Sequence, residues 1–180
     1  MKTKRIVSVT IKHVMDESPD TSYLGEYGND ATSDYTICRR HDEDCPSFWY
    51  SGDECADSCS ADNVSSREYR FFNPNVENHK GLSDDEIRKY CKQDYERMEA
   101  LNAGDWYYMG IRAQAEIAVN GVCQTITSGG LWGIESNSDA DYIRSIEQDE
   151  LAHLEEQLAE LGFKKRAVKQ ALQDVERKTA

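Results

Sequence analysis

A β-hairpin at residues 106–128 is the feature that most constrains the fold of this chain. Apolar and polar side chains alternate from Trp106 to Val119, which is typical of a strand with one buried face. The next two residues, Asn120-Gly121, favour a two-residue turn because both positions need a positive φ. In that register Val119 faces Val122, and the returning strand shares the apolar face. The sequence therefore predicts an antiparallel sheet built around this hairpin.

The segments on either side of the hairpin predict an α+β fold. Residues 5–14 alternate as a strand, with Val7, Val9 and Ile11 on one face. Ser83 and Glu86 form a capping box that opens a helix ending at Gly104. A second helix begins near Ser138 and ends at Gly162-Phe163, and a third helix follows. We expect helices to cover one face of the sheet in a single domain, 1–163, with a basic helix at 164–180.

An irregular acidic insertion occupies about residues 16–66. Residues 16–63 contain 13 acidic side chains against only Arg39 and Arg40, a net charge of −11, whereas the whole chain carries −13. Such a charge excludes a general binder of nucleic acid and disfavours an anionic membrane surface as partner. No secretory signal is visible in residues 1–15. We therefore expect a cytoplasmic protein with no membrane partner.

The acidic insertion also contains a cluster of potential soft metal ligands. Its members are Cys38, His41, Cys45, Cys55 and Cys59. Zinc takes four such ligands, usually as two close pairs, and a site made of Cys38, His41, Cys55 and Cys59 would order a segment that lacks a core. Reduced thiols in a flexible insertion are a second interpretation. A disulfide such as Cys45–Cys55 is a third, in an oxidising compartment.

The predicted outer face of the hairpin carries the other candidate site. Trp106, Tyr108, Arg112, Gln114 and Glu116 share this face. An enzyme or ligand-binding domain would use Glu116 as general base and Arg112 as an anion clamp, with His79 or His153. The alternative is a solvated sheet face, since no nucleophile, base and orienting residue form a recognisable set.

The glycines after the hairpin predict a tight turn. Thr127–Gly133 superficially resembles a phosphate-binding loop, but it lacks the lysine and the spacing of a Walker motif. We interpret these glycines as conformational, with Trp132 packed on the core.

The acidic insertion itself has a functional interpretation besides that of a solvated loop. Proteins that bind DNA place basic grooves against its phosphates, and a folded surface dense in carboxylates would occupy the same groove. Aromatic residues would add the apolar anchors that charge alone does not supply. The candidate partner-binding residues are Asp42, Glu43, Asp44, Asp53, Glu54 and Asp57, with Phe48 and Trp49 as anchors.

Four stretches resemble a family of uncharacterised accessory proteins encoded by phages, plasmids and other mobile elements. They are Phe-Phe-Asn-Pro at 71–74, Met-Glu-Ala-Leu-Asn at 98–102, Gly-Ile-Arg-Ala at 110–113 and Thr-Ser-Gly-Gly-Leu-Trp-Gly-Ile-Glu-Ser at 127–136. The resemblance implies a small protein acting inside a bacterial host, often as an inhibitor of host machinery.

Together, charge and resemblance predict a non-enzymatic, DNA-mimicking inhibitor of anti-defence or antirestriction type. Its expected partner is a host protein with a basic groove, and no direct binding of nucleic acid is expected. One alternative is the enzyme or ligand-binding domain that uses Arg112 and Glu116. Another is a structural or regulatory module that oligomerises through the leucine stripe Leu151–Leu161.

Overall fold

The computed structural model describes residues 3–39, Trp49 and residues 69–179. The chain divides into two compact units, which we name the sheet unit (Met1–Pro19 and Trp106–Ala180) and the insertion unit (Asp20–Asp105). Helices and strands occur in both, so the predicted α+β class is confirmed. The elements are β1 (Lys4–Met15), β2 (Gly25–Gly28), β3 (Ile37–Cys38), β4 (Phe71–Pro74), a 3₁₀ turn (Val76–His79), α1 (Asp84–Ala103), β5 (Tyr108–Val119), β6 (Val122–Thr127), β7 (Leu131–Glu135), α2 (Ala140–Glu160), α3 (Lys165–Gln173) and β8 (Glu176–Thr179).

The predicted hairpin is confirmed and forms the centre of the sheet unit. Val119 pairs with Val122, and the turn residues Asn120 and Gly121 have φ values of 52° and 85°. The strand order is β6-β5-β1-β8, and β7 pairs with the other half of β5. All pairs are antiparallel except β1 with β8. Strand β5 is therefore the element on which most of this sheet is assembled.

Helices α2 and α3 cover one face of this sheet. Ile11, Ile111 and Ala113 of the sheet are fully buried together with Leu154 and Leu158 of α2. Burying such side chains removes roughly 1.5–3 kcal/mol each of unfavourable hydration. The centre of the stripe Leu151–Leu161 is thus occupied by the protein's own sheet, which leaves it unavailable for oligomerisation.

A β-bulge at Val7 changes which residues of β1 face the core. Ile6 pairs with Ile117 and Ser8 pairs with Glu116, so Val7 is the extra residue. Ile6 packs against the core, whereas Val7 is 49% exposed. The prediction that Val7 shares the buried face of Val9 and Ile11 is wrong, because the bulge shifts the alternation by one residue.

The C-terminal segment differs from the predicted basic helix at 164–180. Helix α3 ends at Gln173, and Glu176–Thr179 form β8, which pairs in parallel with β1. The prediction of a single helix over 164–180 is therefore wrong, because pairing with β1 decides the conformation of residues 176–179.

The insertion unit has its own small sheet and core. Strands β2, β4 and β3 pair antiparallel in that order, and Leu24, Ile37, Phe72 and Met98 form a buried cluster. The helix predicted from Ser83 to Gly104 is confirmed as α1. The carboxylate of its residue Glu86 accepts hydrogen bonds from the backbone N–H and hydroxyl of Ser83. In the described part of the chain, none of the helices has the length and apolar character needed to cross a bilayer.

Candidate functional site

The base of the acidic segment is a pair of hydrogen-bonded strands in the insertion unit. We use the name acidic segment for residues 40–68, which connect β3 to β4. Cys38 pairs with Phe71, and the backbone N–H of Arg39 donates to the carbonyl of Arg70 at 3.0 Å. The two ends of the acidic segment therefore lie side by side, on neighbouring antiparallel strands.

A network around Arg39 holds the point where the chain leaves β3. The guanidinium lies 3.9 Å from the centre of the Tyr27 ring, and its Nη2 is 2.9 Å from Oε1 of Glu99. Tyr27 donates its hydroxyl proton to the same oxygen at 2.8 Å. Burial, followed by the hydrogen bond and charge of Glu99, raises the pKa of Tyr27 above its ordinary value. The phenol therefore stays protonated and keeps donating at any physiological pH.

Trp49 is the member of the predicted partner-binding set that the structure describes, and it packs within the insertion unit. It forms an isolated β-bridge with Ile37 and is partly buried against the cluster of Leu24, Ile37, Phe72 and Met98. The guanidinium of Arg88 lies 5.2 Å from its ring centre. Its ring therefore contributes to the core of this unit, and its role as an anchor for a partner remains a prediction.

Most of the other predicted residues of the acidic insertion lie outside the described residues. These are Asp42, Glu43, Asp44, Phe48, Asp53, Glu54 and Asp57, together with the predicted metal ligands His41, Cys55 and Cys59. Cys38, the fourth predicted ligand, is 1% exposed in β3. Within the described ranges, no group of three or more His, Cys, Asp or Glu side chains is arranged to hold a metal. The zinc site remains a prediction.

The structure places Arg112 and Glu116 on the outer face of β5, as the alternation predicts. Their register partners in β1 are Lys12 and Ser8, and the Ser8 hydroxyl lies 3.5 Å from a Glu116 oxygen. Four residues along a strand separate the two side chains by about 13 Å. They are therefore too far apart to act together on one small group, as a base and an anion clamp would.

The same outer face is not polar throughout. Trp106 and Tyr108 are 2% and 3% exposed, with ring centres 4.8 Å apart in an edge-to-face contact. Their prediction as solvated residues of a polar face is wrong. Aromatic residues carry enough apolar area that burial is favoured wherever another part of the chain covers them.

The motif at 127–136 builds the connection from β6 to β7. Ser128 binds both backbone groups of Ala113 through its N–H and hydroxyl, at 2.9 Å each. At the other end Ser136 makes the matching pair of bonds with Tyr107, at 2.8 and 2.9 Å. Gly133, with φ of 74°, lies at the register shift between β7 and β5. The motif therefore specifies strand pairing and is not a phosphate loop.

Trp132 in this motif lies on the outer face of the sheet. A Cβ at Gly110 would meet its Cε3, Cδ2 and Cζ3 atoms at 2.4, 2.6 and 2.7 Å, so the indole lies against the backbone of Gly110. The ring is 46% exposed. The expectation that Trp132 packs on the core is wrong, because the absence of a side chain at Gly110 leaves room for the ring on the opposite face.

Two buried carboxylates in α2 were not predicted as functional residues. Glu147, 4% exposed, lies 2.9 Å from Nε2 of His13, and Glu150, 5% exposed, accepts the N–H of Gly130 at 3.0 Å. In the sequence, Glu147 stands midway between Ile143 and Leu151, where helical spacing would place an apolar residue, and this was the signal for the first. Both carboxylates join α2 to the sheet unit's strands and loops, and we interpret their role as structural.

The predicted histidines do not form a catalytic set. Nε2 of His79 lies 2.9 Å from Asp94 in the insertion unit, and its ring stacks on Tyr90. His153 belongs to the sheet unit, where it is 3.7 Å from Glu150. Desolvation raises the pKa of Asp94, while the hydrogen bond from His79 opposes this rise. Each histidine thus pairs with a different carboxylate in its own unit.

Comparisons with models of known families, with curated proteins and with solved structures each found no match.

Proposed function

We propose that this protein is a non-enzymatic inhibitor that binds a basic groove of a bacterial host protein through the anionic surface of its insertion unit. The observation that carries the proposal is the division of charge between the two units. The insertion unit contains 20 acidic and 9 basic residues, a net charge of −11, whereas the sheet unit carries only −2. The acidic character of the chain therefore belongs to one unit and does not reflect its general composition.

The anchoring of the acidic segment supports the same proposal. Binding through charge is most effective when the charged groups are held together before the partner arrives, since ordering them on binding costs entropy. Arg39 and Arg70 hold the two ends of the segment side by side, and Trp49 ties its course to the core of the unit. The positive charge of Arg39 is paired with the carboxylate of Glu99, which lies outside the acidic segment.

Charge variants test this proposal. The six predicted carboxylates are changed to Asn or Gln in one variant; they are Asp42, Glu43, Asp44, Asp53, Glu54 and Asp57. A matched control neutralises six exposed carboxylates of the sheet unit instead; they are Glu17, Asp141, Asp149, Glu156, Glu160 and Asp174. We expect the first variant to lose capture of its partner from host lysate and the control to keep it, although both lose the same net charge.

The salt dependence and the competitor complete the test. Screening lengths fall from about 10 Å at 0.1 M salt to about 3 Å at 1 M, so capture by the unchanged protein should decline steeply with salt. The captured protein, once purified, should release duplex DNA when this protein is added. Equal capture by both variants, or capture of a protein that leaves its DNA bound, would refute the proposal.

A further inference from the structure

The outer face of the sheet unit carries a short row of two cations, Lys12 and Arg112, for which the described residues supply no counter-ion. Lys12 of β1 and Arg112 of β5 are register partners, so their side chains leave the sheet on the same face. Among the residues that the structure describes, neither Lys12 nor Arg112 has a carboxylate within salt-bridge distance. Like charges opposite one another destabilise a sheet, so this row favours a bound anion.

Arg112 adds a buried donor that lacks an acceptor. Its Nε is inaccessible to solvent and has no hydrogen-bond partner in the described part of the protein. Buried polar groups in native proteins are almost always paired, and an orphaned donor is costly. The planar fork of N–H groups on this guanidinium suits the oxygens of a phosphate, and a bound anion near it would offset part of the cost of the unpaired donor.

Trp132 supplies an aromatic surface beside the cations. One face of its indole lies against Gly110, and the residue as a whole is 46% exposed. Its Nε1 lies near Gly130, and a Cβ at Gly130 would also meet the Cβ of Arg112 at 3.2 Å. A partly exposed indole that is held against the backbone is the kind of surface on which nucleobases stack.

The spacing of these groups selects the ligand. Gly110, beneath the indole, and Arg112 are two residues apart on one face of β5, about 7 Å along the strand. This separation suits a molecule with a planar ring at one end and an anion at the other. The two cations of the row favour a phosphate monoester, which carries about −1.5 to −2 at neutral pH, over a carboxylate.

We propose that the outer face of the sheet unit binds a nucleotide with a terminal phosphate monoester. The base stacks on Trp132, and the phosphate lies across Arg112 and Lys12. The nucleotide is either a free mononucleotide or the phosphorylated end of a single strand. The near-neutral sheet unit does not repel such an anion as the insertion unit would. This site is independent of the proposed inhibitor function, which rests on the other unit.

The first experiment asks whether ring and phosphate are both used. The full-length protein is titrated with AMP, adenosine and inorganic phosphate at low salt, and binding is followed by NMR shifts of the Arg112 and Trp132 side-chain N–H groups. We expect AMP to bind more tightly than either fragment and to shift both signals. The proposal is overturned if AMP binds no more tightly than phosphate, or if neither signal moves.

Variants of the site provide the second test. Trp132→Leu should weaken AMP binding at least about fivefold, the lower range for losing a base–aromatic stack. Arg112→Gln should weaken it further, because it removes the charge that holds the phosphate. Tyr142→Leu and Arg166→Gln change an exposed aromatic residue and an exposed cation of the same unit away from the site, and should leave binding unchanged. If the site variants bind AMP as these controls do, the proposal is wrong.

Two oligonucleotides identify the source of the ligand and guard against misfolded variants. The unchanged protein is titrated with a trinucleotide that has a 5′-phosphate and with the same trinucleotide without it. Tighter binding of the phosphorylated trinucleotide than of AMP supports a strand end, and the reverse order supports a free nucleotide. Equal affinity for the two trinucleotides would contradict any role for a terminal phosphate.

Discussion

The close approach of Trp132 to Gly110 makes Gly110→Ala a sharp test of how the motif at 127–136 works. The new Cβ would lie 2.4 Å from Cε3 of the indole, whereas ordinary contact begins at 3.4 Å. The ring must therefore retreat by about 1 Å or swing into solvent. Gly110 has no positive φ, so the backbone itself accepts alanine without strain.

The expected loss of unfolding free energy is about 1–3 kcal/mol, the usual range for overpacking a well-fitted contact. It is limited by the contacts that the ring makes, because a residue that is 46% exposed can leave its place altogether. In a Trp132→Ala background the same substitution meets no ring and should cost about zero. A double-mutant cycle should therefore give a coupling of about 1–3 kcal/mol between the two positions.

Urea denaturation of the full chain measures these differences, and hydrogen exchange of the β5 amides assigns them to the sheet unit. Gly129→Ala is the matched control, because a Cβ there meets nothing within 4 Å and its φ is not positive. It should be neutral. If Gly110→Ala is as stable as the control, or costs the same with Trp132 absent, the indole does not lie where the contact requires.

Three further predictions concern the insertion unit and the thiols. Ser83→Ala should lower the unfolding free energy by about 1 kcal/mol, seen as a lower urea midpoint, because it removes the capping box of α1; an unchanged midpoint would contradict this. Tyr35→Phe should raise the pKa of Asp84 towards its ordinary 3.8, since the hydrogen bond from Tyr35 is the main cause that lowers it. The stability from this bond is present above pH 3.8 and is lost as pH falls through the lowered pKa, which a carboxyl NMR titration of both proteins would show. Burial raises the pKa of the Cys91 thiol to about 11, so at pH 8 peptide mapping after alkylation should find exposed Cys123 modified and Cys91 unmodified.

Local sequence signals predicted the elements whose conformation is decided by neighbouring residues. The turn at Asn120-Gly121 and the capping box at Ser83 each act within a few residues, and both are present in the structure. The predictions that were wrong concern residues whose conformation depends on strands far away in the sequence. The bulge at Val7 depends on the register against β5, and β8 exists only because β1 offers it an edge. Alternation along one strand contains no information about either.

The residues of the candidate sites also divide into those that local sequence could place and those that depend on distant parts of the chain. Arg112 was predicted as an anion-binding residue from its face of the strand, and the structure keeps it there. Its neighbours Lys12 and Trp132 could not be assigned to the same place from sequence, because one comes from a strand about a hundred residues away and the other depends on an empty position at Gly110. The packing of Trp49 against the core of its own unit could not be predicted, because an aromatic residue in a polar stretch gives no sign of what its ring contacts.

The backbone hydrogen bond between Arg39 and Arg70 holds the two ends of the acidic segment together. Closing a longer loop costs little more than closing a short one, about 0.6 kcal/mol for each doubling of length. The length of chain between these two residues therefore has little effect on the entropic cost of bringing them together. A change in the length of the proposed binding surface would thus leave the pairing of the strands at its base almost unaffected.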